Sequence, residues 1–275
     1  MPVHYVDGVW TEEPSLSLDD LGILRGYGVF DYLRTYRGQP FELRAHLERL
    51  ERSASQIYLG LPHTLDEMDD LVREALARNS DCLKPEATIR LVVTGGPSPN
   101  HLTPKAGASR LSIQVQAFQP TTSSPPVAVI TTSIPRAFPT VKSLNYLTAI
   151  VALHGTVDKA EAIYLDGQRR LTEGTRSNLL CVMGKTIVTA NEDVLDGITT
   201  AVVLRLIQEH TDYTVEHRSL SYDEIPSLEE AFLTSTTKEI LPIRQIDDCV
   251  LPTAPGPVTQ HLQSLFRSFT DSYDN

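Results

Sequence analysis

Cysteine is scarce in this chain, and its three copies, Cys82, Cys181 and Cys249, lie far apart. Their number is odd and their spacing matches no zinc motif, so they form neither a disulfide framework nor a zinc site. The eight histidines are scattered without an H-x-x-x-H or H-E-x-x-H spacing. We therefore expect no metal, and we expect the cytosol as the compartment of the protein.

Positive charge and long apolar runs are also lacking. The chain carries 24 Lys and Arg against 35 Asp and Glu, a net charge of −11, which argues against binding of a nucleic-acid backbone as the main activity. This balance still allows a local basic pocket for one small anion. No apolar run is long enough to span a bilayer, and the N-terminus has neither the basic nor the apolar region of a signal peptide. We expect no nucleic-acid partner and no membrane partner.

The first part of the chain has the patterns of a sheet with two helices packed against it. Apolar residues at three- and four-residue steps predict the helices, and alternation predicts the strands. The second helix begins with the capping-box spacing of Thr64 and Glu67. The predicted elements are a hairpin over 1–12 that turns at Asp7-Gly8, a strand over 29–36, helices over 43–59 and 65–78, and strands over 88–94 and 110–118. We predict an N-terminal α/β domain over 1–118.

Residues 119–126 have the composition of a linker between domains. Three prolines and four hydroxyl residues occupy seven of these eight positions, and such clusters interrupt regular structure. The part that follows, 127–275, is predicted to be a second, strand-dominated domain. Its predicted elements are a strand over 127–132, a helix over 146–157, a hairpin over 179–190, a helix over 199–210, strands over 213–217 and 231–234, and a helix over 258–269.

One lysine, Lys142, lies in a loop with few charges near it in sequence. A lysine that loses its proton can form a Schiff base with an aldehyde, although a lone loop lysine is usually solvated surface. Downstream, Ile198 and Thr199 open a predicted helix whose N–H groups could cradle a phosphate. Thr236 and Arg49 could complete that cradle.

A carboxylate such as Glu173 can keep the pyridine nitrogen of a cofactor protonated, which makes the ring an electron sink. Each of these features also has a plain structural interpretation. Glu173 can be a turn carboxylate, Ile198 and Thr199 an ordinary helix start, and the hydroxyl run Thr234–Thr237 an edge strand.

Taken together, these motifs resemble the class IV, fold-type IV aminotransferases that depend on pyridoxal 5'-phosphate. The resemblance covers nearly the whole chain. The matching pieces, in order, are Arg25–Asp31, His46–Leu50, Lys142–Tyr146, Glu173–Asn178, Gly197–Thr199 and Phe232–Thr237. It implies a two-domain α/β (α+β) fold, an N-terminal sheet with helices and a C-terminal pseudo-barrel, with the cofactor between the domains. It also implies a homodimer whose active site borrows a loop from the partner subunit.

The resemblance assigns a role to each matching residue. Lys142 would be the Schiff-base lysine and the catalytic residue, Glu173 would pair with the pyridine nitrogen, and Leu195 would pack on the ring. The phosphate would be held by Arg49, Ile198, Thr199 and Thr236, with Ser235 as a further cofactor-binding residue. The substrate-binding residues would be Arg25, Tyr27, Tyr32, Arg90 and Thr237.

Within the family, the sequence resembles D-amino-acid transaminases, which transfer the amino group to a 2-oxo acid such as 2-oxoglutarate. The bacillus-type enzymes carry an arginine where Gly95 stands here, and the family usually has Asp in place of Tyr27. Arg25, Arg90 and the stretch 94–99 resemble a non-bacillus subgroup in which a different arginine pair binds the carboxylate. The alternatives are L-branched-chain aminotransferases, R-selective amine transaminases and aminodeoxychorismate lyases.

Two arginines stay open at this point. Arginines in the positions of Arg34 and Arg90 also occur in branched-chain transaminases, and Arg34 has an ion pair as an equal alternative. Arg176 could reach the cofactor's phenolic oxygen or a neighbouring carboxylate.

A non-enzymatic cofactor-binding or anion-binding protein is the alternative function from another class. The combination of Lys142 and Glu173 argues against it, because binding alone requires no electron sink.

Overall fold

The computed structural model describes residues 1–121, 125–154 and 159–274. It divides into two compact units. One takes in Met1–Pro120, Val141–Asn145 and Tyr273–Asn275, and the other takes in Thr121–Thr140 and Tyr146–Ser272. The predicted linker 119–126 includes residues 122–124, which lie outside the described residues. The predicted domain limits therefore stay a prediction.

The first unit is a six-stranded sheet with helices, as the sequence predicts. Its elements are β1 (His4–Val6), β2 (Val9–Thr11), α1 (Leu21–Arg25), β3 (Gly28–Tyr36), β4 (Gln39–Pro40), α2 (Leu43–Gln56), α3 (Leu65–Arg78), β5 (Glu86–Thr94) and β6 (Arg110–Phe118). The strands lie in the order β2-β1-β6-β5-β3-β4. At the start of α3, Thr64 and Glu67 form the predicted capping box.

Helix α2 ends at Gln56, so the predicted end at residue 59 was wrong. Tyr58 adopts a left-handed conformation with φ of 57°, which a continuing helix does not allow. The Leu59 N–H then donates to the Ala54 carbonyl at 2.9 Å, a hydrogen bond that closes the helix end.

Alternation along β5 separates the two faces of the sheet. Ile89, Leu91 and Val93 are fully buried in the core that the sheet forms with α2 and α3. Burial of apolar surface contributes about 25 cal/mol per Å², so this face stabilises the unit. Because successive side chains point to opposite faces, Arg90 lies on the other face, and it is exposed.

The short helix α1 was not predicted. Its N-cap is Asp20, a fully buried residue whose carboxylate accepts hydrogen bonds from the Gly22 N–H at 2.7 Å and from Thr94 Oγ1 at 2.8 Å. At its other end, Gly26 adopts φ of 65°, a conformation that glycine reaches without strain. These caps fix the position of Arg25 in the last turn.

The second unit contains a ten-stranded sheet that closes on itself. Its elements are β7 (Val127–Thr132), α4 (Leu147–Leu153), β8 (Lys159–Leu165), β9 (Arg170–Gly174), β10 (Asn178–Met183), β11 (Thr186–Thr189), α5 (Ile198–His210), β12 (Thr214–His217), β13 (Leu220–Ser221), a 3-10 helix (Tyr222–Ser227), β14 (Glu230–Ser235), β15 (Glu239–Ile246), β16 (Cys249–Val250) and α6 (Pro257–Asp271). Strands β10-β14-β15-β7-β8-β9 follow one another, and β9 pairs again with β10 through Glu173 and Asn178. This closure confirms the predicted pseudo-barrel.

The helix predicted over 146–157 is only partly described. Helix α4 covers Leu147–Leu153, and residues 155–157 lie outside the described residues. Strands β8, β9 and β15 were not predicted, although they form half of the closed ring.

Candidate active site

Lys142 lies on a short segment that runs along the start of β3. The Phe30 N–H donates to the Lys142 carbonyl at 2.9 Å, and the Leu144 N–H donates to the Gly28 carbonyl at 3.0 Å. The Lys142 N–H donates to Ser53 Oγ of α2 at 3.1 Å. Three hydrogen bonds of the segment's backbone therefore hold it in place, whatever the Lys142 side chain does.

The Lys142 amine lies beside an aromatic ring. Its Nζ is 4.9 Å from the centroid of the Phe30 ring, and the residue is half-buried. An ammonium over an aromatic ring is stabilised electrostatically. Phe30 and Tyr32 share one sheet face because they are two residues apart on a strand.

Arg49 belongs to a buried cluster with Asp31 and His46. Its Nε donates to Asp31 Oδ2 at 2.9 Å and its Nη2 to Asp31 Oδ1 at 2.7 Å. His46 Nδ1 lies 2.7 Å from the same Oδ1. Two parallel bonds to one carboxylate fix the plane of the guanidinium.

The charges of this cluster follow from burial and pairing. Burial raises the pKa of the Asp31 carboxyl, but Arg49 and His46 outweigh it and hold that pKa well below its usual range. Burial lowers the pKa of the His46 ring, against the opposing effect of Asp31. A neutral His46 that donates its Nδ1–H to an ionised Asp31 accounts for both directions.

Glu173 lies at the end of β9 with 3% of its surface exposed. Its Oε1 pairs with Arg136 Nη1, and its Oε2 accepts a hydrogen bond from the Leu195 N–H at 3.1 Å. An ordinary turn carboxylate would be exposed to solvent, whereas the Glu173 carboxylate is buried and paired with an arginine. Arg136 was not predicted as that partner, because it lies 37 residues from Glu173 in sequence.

A polar network fixes the loop that precedes α5. Asn178 Nδ2 donates to the Leu195 carbonyl at 2.8 Å, and Thr200 Oγ1 donates to Asn178 Oδ1 at 2.9 Å. The Thr200 hydroxyl is also 2.7 Å from that of Thr234. A Cβ at Gly197 would overlap Asn178 Oδ1, so the loop approaches β10 too closely for any other residue.

Helix α5 begins at Ile198, next to this loop. Its N-cap is Gly197, and no side chain of the described residues caps it. The first N–H groups of a helix have no partner within the helix, so those of Ile198 and Thr199 are suited to an anion.

The hydroxyl run Thr234–Thr237 begins at the end of a central strand of the closed sheet. Thr234 and Ser235 end β14, which pairs with β10 on one side and β15 on the other. The edge-strand alternative was therefore wrong. Thr236 and Thr237 are half-buried residues of the turn that follows.

The predicted substrate residues of the first unit fall in two places. Arg90 lies opposite Tyr32 in the β3–β5 pair, with its guanidinium 5.2 Å from the centroid of that ring. Arg25 is exposed, and its Nη1 donates to its neighbour's carbonyl, Leu24 O, at 2.8 Å. Among the described residues of one chain, no contact joins Arg25 to Arg90.

Tyr27 is held by the end of α2. Its hydroxyl donates to the carbonyls of Ile57 and Tyr58 at 3.3 Å and 3.1 Å, and burial raises the pKa of this phenol. A Cβ at Gly95 would overlap the Tyr27 ring. The two departures from the bacillus-type pattern are thus in direct contact.

Arg34 and Arg176, whose roles the sequence leaves open, have different surroundings in the structure. Arg34 is buried, and its guanidinium lies 4.1 Å from the Tyr36 ring centroid and 4.5 Å from that of Phe118. Arg176 is exposed, and its Nη2 donates to the Ala160 carbonyl at 3.3 Å.

The model of the amino-transferase class IV family matches residues 28–246. The chain belongs to this family. Among the curated relatives of this class IV aminotransferase is a Methanocaldococcus jannaschii protein that is provisionally named a branched-chain-amino-acid aminotransferase. It is 34% identical over 278 residues, which cover 96% of this chain and 94% of that protein. A D-alanine aminotransferase from Staphylococcus epidermidis is 30% identical over 275 residues, 95% of each chain.

Solved structures share the fold of this class IV aminotransferase. The branched-chain aminotransferase from Thermoproteus uzoniensis, solved with norvaline, has a TM-score of 0.87 and 27% identity, and the match covers 98% of this chain and 94% of that one. The branched-chain amino acid aminotransferase from Escherichia coli has a TM-score of 0.85 at 24% identity, and the match covers 100% of this chain and 96% of that one. At 24% identity, the Escherichia coli structure supports a shared fold and nothing further.

Class IV aminotransferases depend on pyridoxal 5'-phosphate, and the donor groups of this enzyme fit it. When bound, the cofactor supplies an aldehyde that bonds an amine and a ring that draws electrons from the adjacent carbon. The first unit offers the Lys142 amine and the fixed Arg49 guanidinium. The second offers the buried Glu173 carboxylate and the uncapped start of α5. A lysine, a carboxylate and anion-binding groups are the set that an aldehyde, a pyridine nitrogen and a phosphate require.

The described residues contain neither a candidate metal site nor a candidate membrane-spanning helix. No group of three or more His, Cys, Asp and Glu side chains there could hold a metal ion. No described helix is both long enough and apolar enough to cross a bilayer.

Proposed function

We propose that this enzyme transfers the amino group of D-amino acids to 2-oxo acids such as 2-oxoglutarate. The observation that carries the proposal is the position of Arg90. It pairs with Tyr32 on the sheet face that also holds Phe30, and the Phe30 ring contacts the Lys142 amine. Tyr32 is two residues from Phe30, about 7 Å along the strand. An arginine side chain spans such a distance, so Arg90 can bind a carboxylate whose amino group reacts near Lys142.

Lys142 carries the chemical step. Its amine would hold the cofactor through the aldehyde before the substrate arrives, and would move the proton between the substrate Cα and the C4′ carbon of the cofactor. One amine can serve both carbons from one face, so no second base is needed. Glu173 holds a proton on the pyridine nitrogen, and Leu195 packs against the ring. The phosphate ligands are Arg49, Ile198, Thr199, Ser235 and Thr236.

Handedness follows from where the carboxylate binds. The Cα–H bond must point at Lys142 when it breaks. The carboxylate and the side chain can then occupy the two remaining positions on Cα in only two ways. Their exchange converts an L-amino acid into a D-amino acid. By the resemblance to the family, Arg90 and Arg25 from the partner subunit would bind the carboxylate on the side of the cofactor's phenolic oxygen. Tyr32 and Thr237 would be further substrate-binding residues.

Tyr27 and Gly95 support this choice of anchor. An arginine at position 95 would displace the Tyr27 ring, which is held by two carbonyls at the end of α2. The carboxylate anchor of the bacillus-type enzymes therefore has no room here, and the arginines at 25 and 90 take its role.

The enzyme acts as a homodimer. Helix α4 carries three large apolar side chains that are half or more exposed, Leu147 at 65%, Ile150 at 67% and Val151 at 50%. Contiguous exposed apolar side chains mark protein contact surfaces. A second copy that covers α4 would bury them. By the resemblance to the family, the exposed Arg25 of each copy would serve the substrate site of the other.

Arg25→Ala and Arg90→Ala test the anchor. Loss of one charge-assisted contact costs roughly 1.5–3 kcal/mol, about 10- to 150-fold, so each variant should lose that much in kcat/KM for D-alanine. The rate with (R)-1-phenylethylamine, which has no carboxylate, should fall far less. The matched control is Arg169→Ala, because Arg169 also lies over a tyrosine ring, 4.7 Å from that of Tyr222 in the second unit. Equal losses with the amino acid and the amine would show that these arginines do not bind the carboxylate.

Glu173→Gln tests the electron sink. The amide keeps an oxygen for the Leu195 N–H, but it has no charge with which to hold a proton on the pyridine nitrogen. We expect the variant to retain cofactor and to lose on the order of 10²-fold in kcat, comparable to the loss of one preorganised electrostatic partner. Turnover near that of the wild type would rule out the role of Glu173.

L-branched-chain transamination is the second candidate. The Methanocaldococcus jannaschii relative and the Thermoproteus uzoniensis structure both bear branched-chain names. An arginine in the position of Arg90 also occurs in branched-chain transaminases, so the two candidates differ in the side on which the substrate carboxylate meets it. An R-selective amine transaminase would prefer the carboxylate-free amine. An aminodeoxychorismate lyase would release pyruvate without exchanging an amino group.

A further inference from the structure

We propose that the ion pair between Glu161 and Lys238 is a positioning pair that sets two cofactor-binding loops at once. The first loop is 174–177, directly after Glu173, and the second is the turn 236–238, which contains Thr236. The inference rests on the proposed roles of Glu173 and Thr236 in binding the cofactor.

Glu161 is a fully buried carboxylate on β8, and one of its oxygens serves the first loop. Its Oε2 accepts hydrogen bonds from Ser177 Oγ at 2.8 Å, from the Arg176 N–H at 3.0 Å and from Thr175 Oγ1 at 3.4 Å. Three successive residues of the loop are thus bound to one atom, which holds the loop in a single conformation.

The first loop also packs directly on this carboxylate. A Cβ at Gly174 would lie 2.7 Å from Glu161 Oε2 and 2.5 Å from Ser177 Oγ, so any other residue there would displace one of these two oxygens. The Gly174 N–H donates to the Ser177 carbonyl at 2.8 Å. Glu173 is the residue before this tight turn, and a displacement of the turn would displace its carboxylate.

The second oxygen of Glu161 serves the other loop. Its Oε1 accepts from Lys238 Nζ at 2.6 Å, and the Lys238 side chain is 27% exposed. A buried carboxylate requires a counter-charge, and this one comes from the turn that carries Thr236 and Thr237. The carboxylate therefore links the position of that turn to the position of the loop after Glu173.

The pair is separate from the reacting amine. The Lys238 amine is engaged by the buried Glu161 carboxylate at 2.6 Å, so it is no substitute for Lys142. Its effect on the cofactor is indirect, through the placement of the two loops.

The test measures cofactor release from Lys238→Met and Glu161→Gln holoenzymes by equilibrium dialysis. Glu161→Gln keeps an oxygen for the loop donors but removes the charge that binds Lys238. We expect each variant to raise the dissociation constant of pyridoxal 5'-phosphate by about tenfold or more, which corresponds to the lower end of what a charge-assisted hydrogen bond contributes. The visible circular dichroism of the bound cofactor should change as well, because its orientation changes. Lys238→Arg, which keeps the charge, should restore most of the affinity.

The double variant and one control separate a shared link from two independent effects. Because both substitutions break the same link, Glu161→Gln with Lys238→Met should bind the cofactor no more weakly than the worse single variant. The control is Lys185→Met, at an exposed lysine of the β10–β11 turn, which should bind as the wild type does. Additive losses, or a Lys238→Met variant that matches Lys185→Met in affinity and circular dichroism, would overturn the proposal. If one single variant fails to fold, the double variant is compared with the single variant that folds. Lys238→Arg should still bind the cofactor nearly as the wild type does, and a loss as large as that of the other variants would overturn the proposal.

Failure here is distinguishable from failure of the proposed function. The dialysis readout does not depend on which amino acid reacts, so a wrong assignment of handedness leaves it unchanged. Glu173→Gln with normal turnover would refute the role of Glu173, whatever the Lys238 variants show.

Discussion

Lys142→Ala should reduce transamination by on the order of 10⁴-fold or more, because proton transfer by a positioned group alone contributes up to about that factor. The variant also loses the amine that bonds the cofactor. Its fold should persist, because the segment is held by backbone bonds with Phe30, Gly28 and Ser53. Single-turnover absorbance with D-alanine and a thermal melt measure the two effects separately.

Borohydride reduction locates the reacting lysine in the wild type. The yellow holoenzyme should retain the cofactor after reduction, and peptide mass spectrometry should find it on Lys142. Lys185→Ala is the matched control and should leave both colour and rate unchanged, because this lysine is exposed on a turn. Cofactor fixed to Lys185 or Lys238 would show that the assignment of the reacting lysine is wrong.

Asp31→Ala should lower the free energy of unfolding by about 3–5 kcal/mol, the loss typical when one partner of a buried ion pair is removed. The charge left behind is Arg49, which is 5% exposed and makes two bonds to this carboxylate. Urea denaturation of the enzyme without cofactor measures the loss. The cofactor should also bind more weakly, because the guanidinium loses the contact that fixes its plane.

The control for Asp31 is the same substitution at an exposed pair. Asp66 pairs with Arg44 at 2.7 Å, and their side chains are 90% and 57% exposed. Such pairs contribute roughly 0–1 kcal/mol, so Asp66→Ala should be nearly neutral. An Asp31→Ala variant no less stable than Asp66→Ala would contradict the account of the buried cluster.

The pH dependence of stability has the same origin. The folded pKa of Asp31 is lowered, so its stabilisation is present above its unfolded pKa of about 3.9 and is lost as the pH falls below that value. The folded pKa of His46 is also lowered. The unfolded chain then binds a proton at His46 below about pH 6.5 that the folded chain does not, so this group too reduces stability on the acid side.

Local signals in the sequence predict the elements of this fold well. Helix α3 begins at its capping box and covers Leu65–Arg78, and β6 covers Arg110–Phe118, both as predicted. In each, the periodic pattern and the end signals lie within the element itself. Helix α1 escaped prediction because it has one turn, and its cap depends on Thr94, 74 residues away.

The candidate site was predictable to the extent that its motifs are contiguous. The side-chain ion pairs around those motifs were not predictable from the sequence. Arg136 reaches Glu173 across 37 residues and Lys238 reaches Glu161 across 77, and no periodicity or spacing encodes such contacts. The contact between Tyr27 and Gly95 was hidden for the same reason, although both positions stood out as departures from the family pattern.

The central claim, a preference for D-amino acids, is tested most directly by a steady-state assay of paired enantiomers. D- and L-alanine and D- and L-leucine are compared as donors to 2-oxoglutarate, and the handedness of the glutamate formed is determined in each case. The account predicts a higher kcat/KM for the D-forms and D-glutamate as the product. A much better rate with L-leucine than with any D-amino acid, with L-glutamate as the product, would contradict it and support the branched-chain alternative.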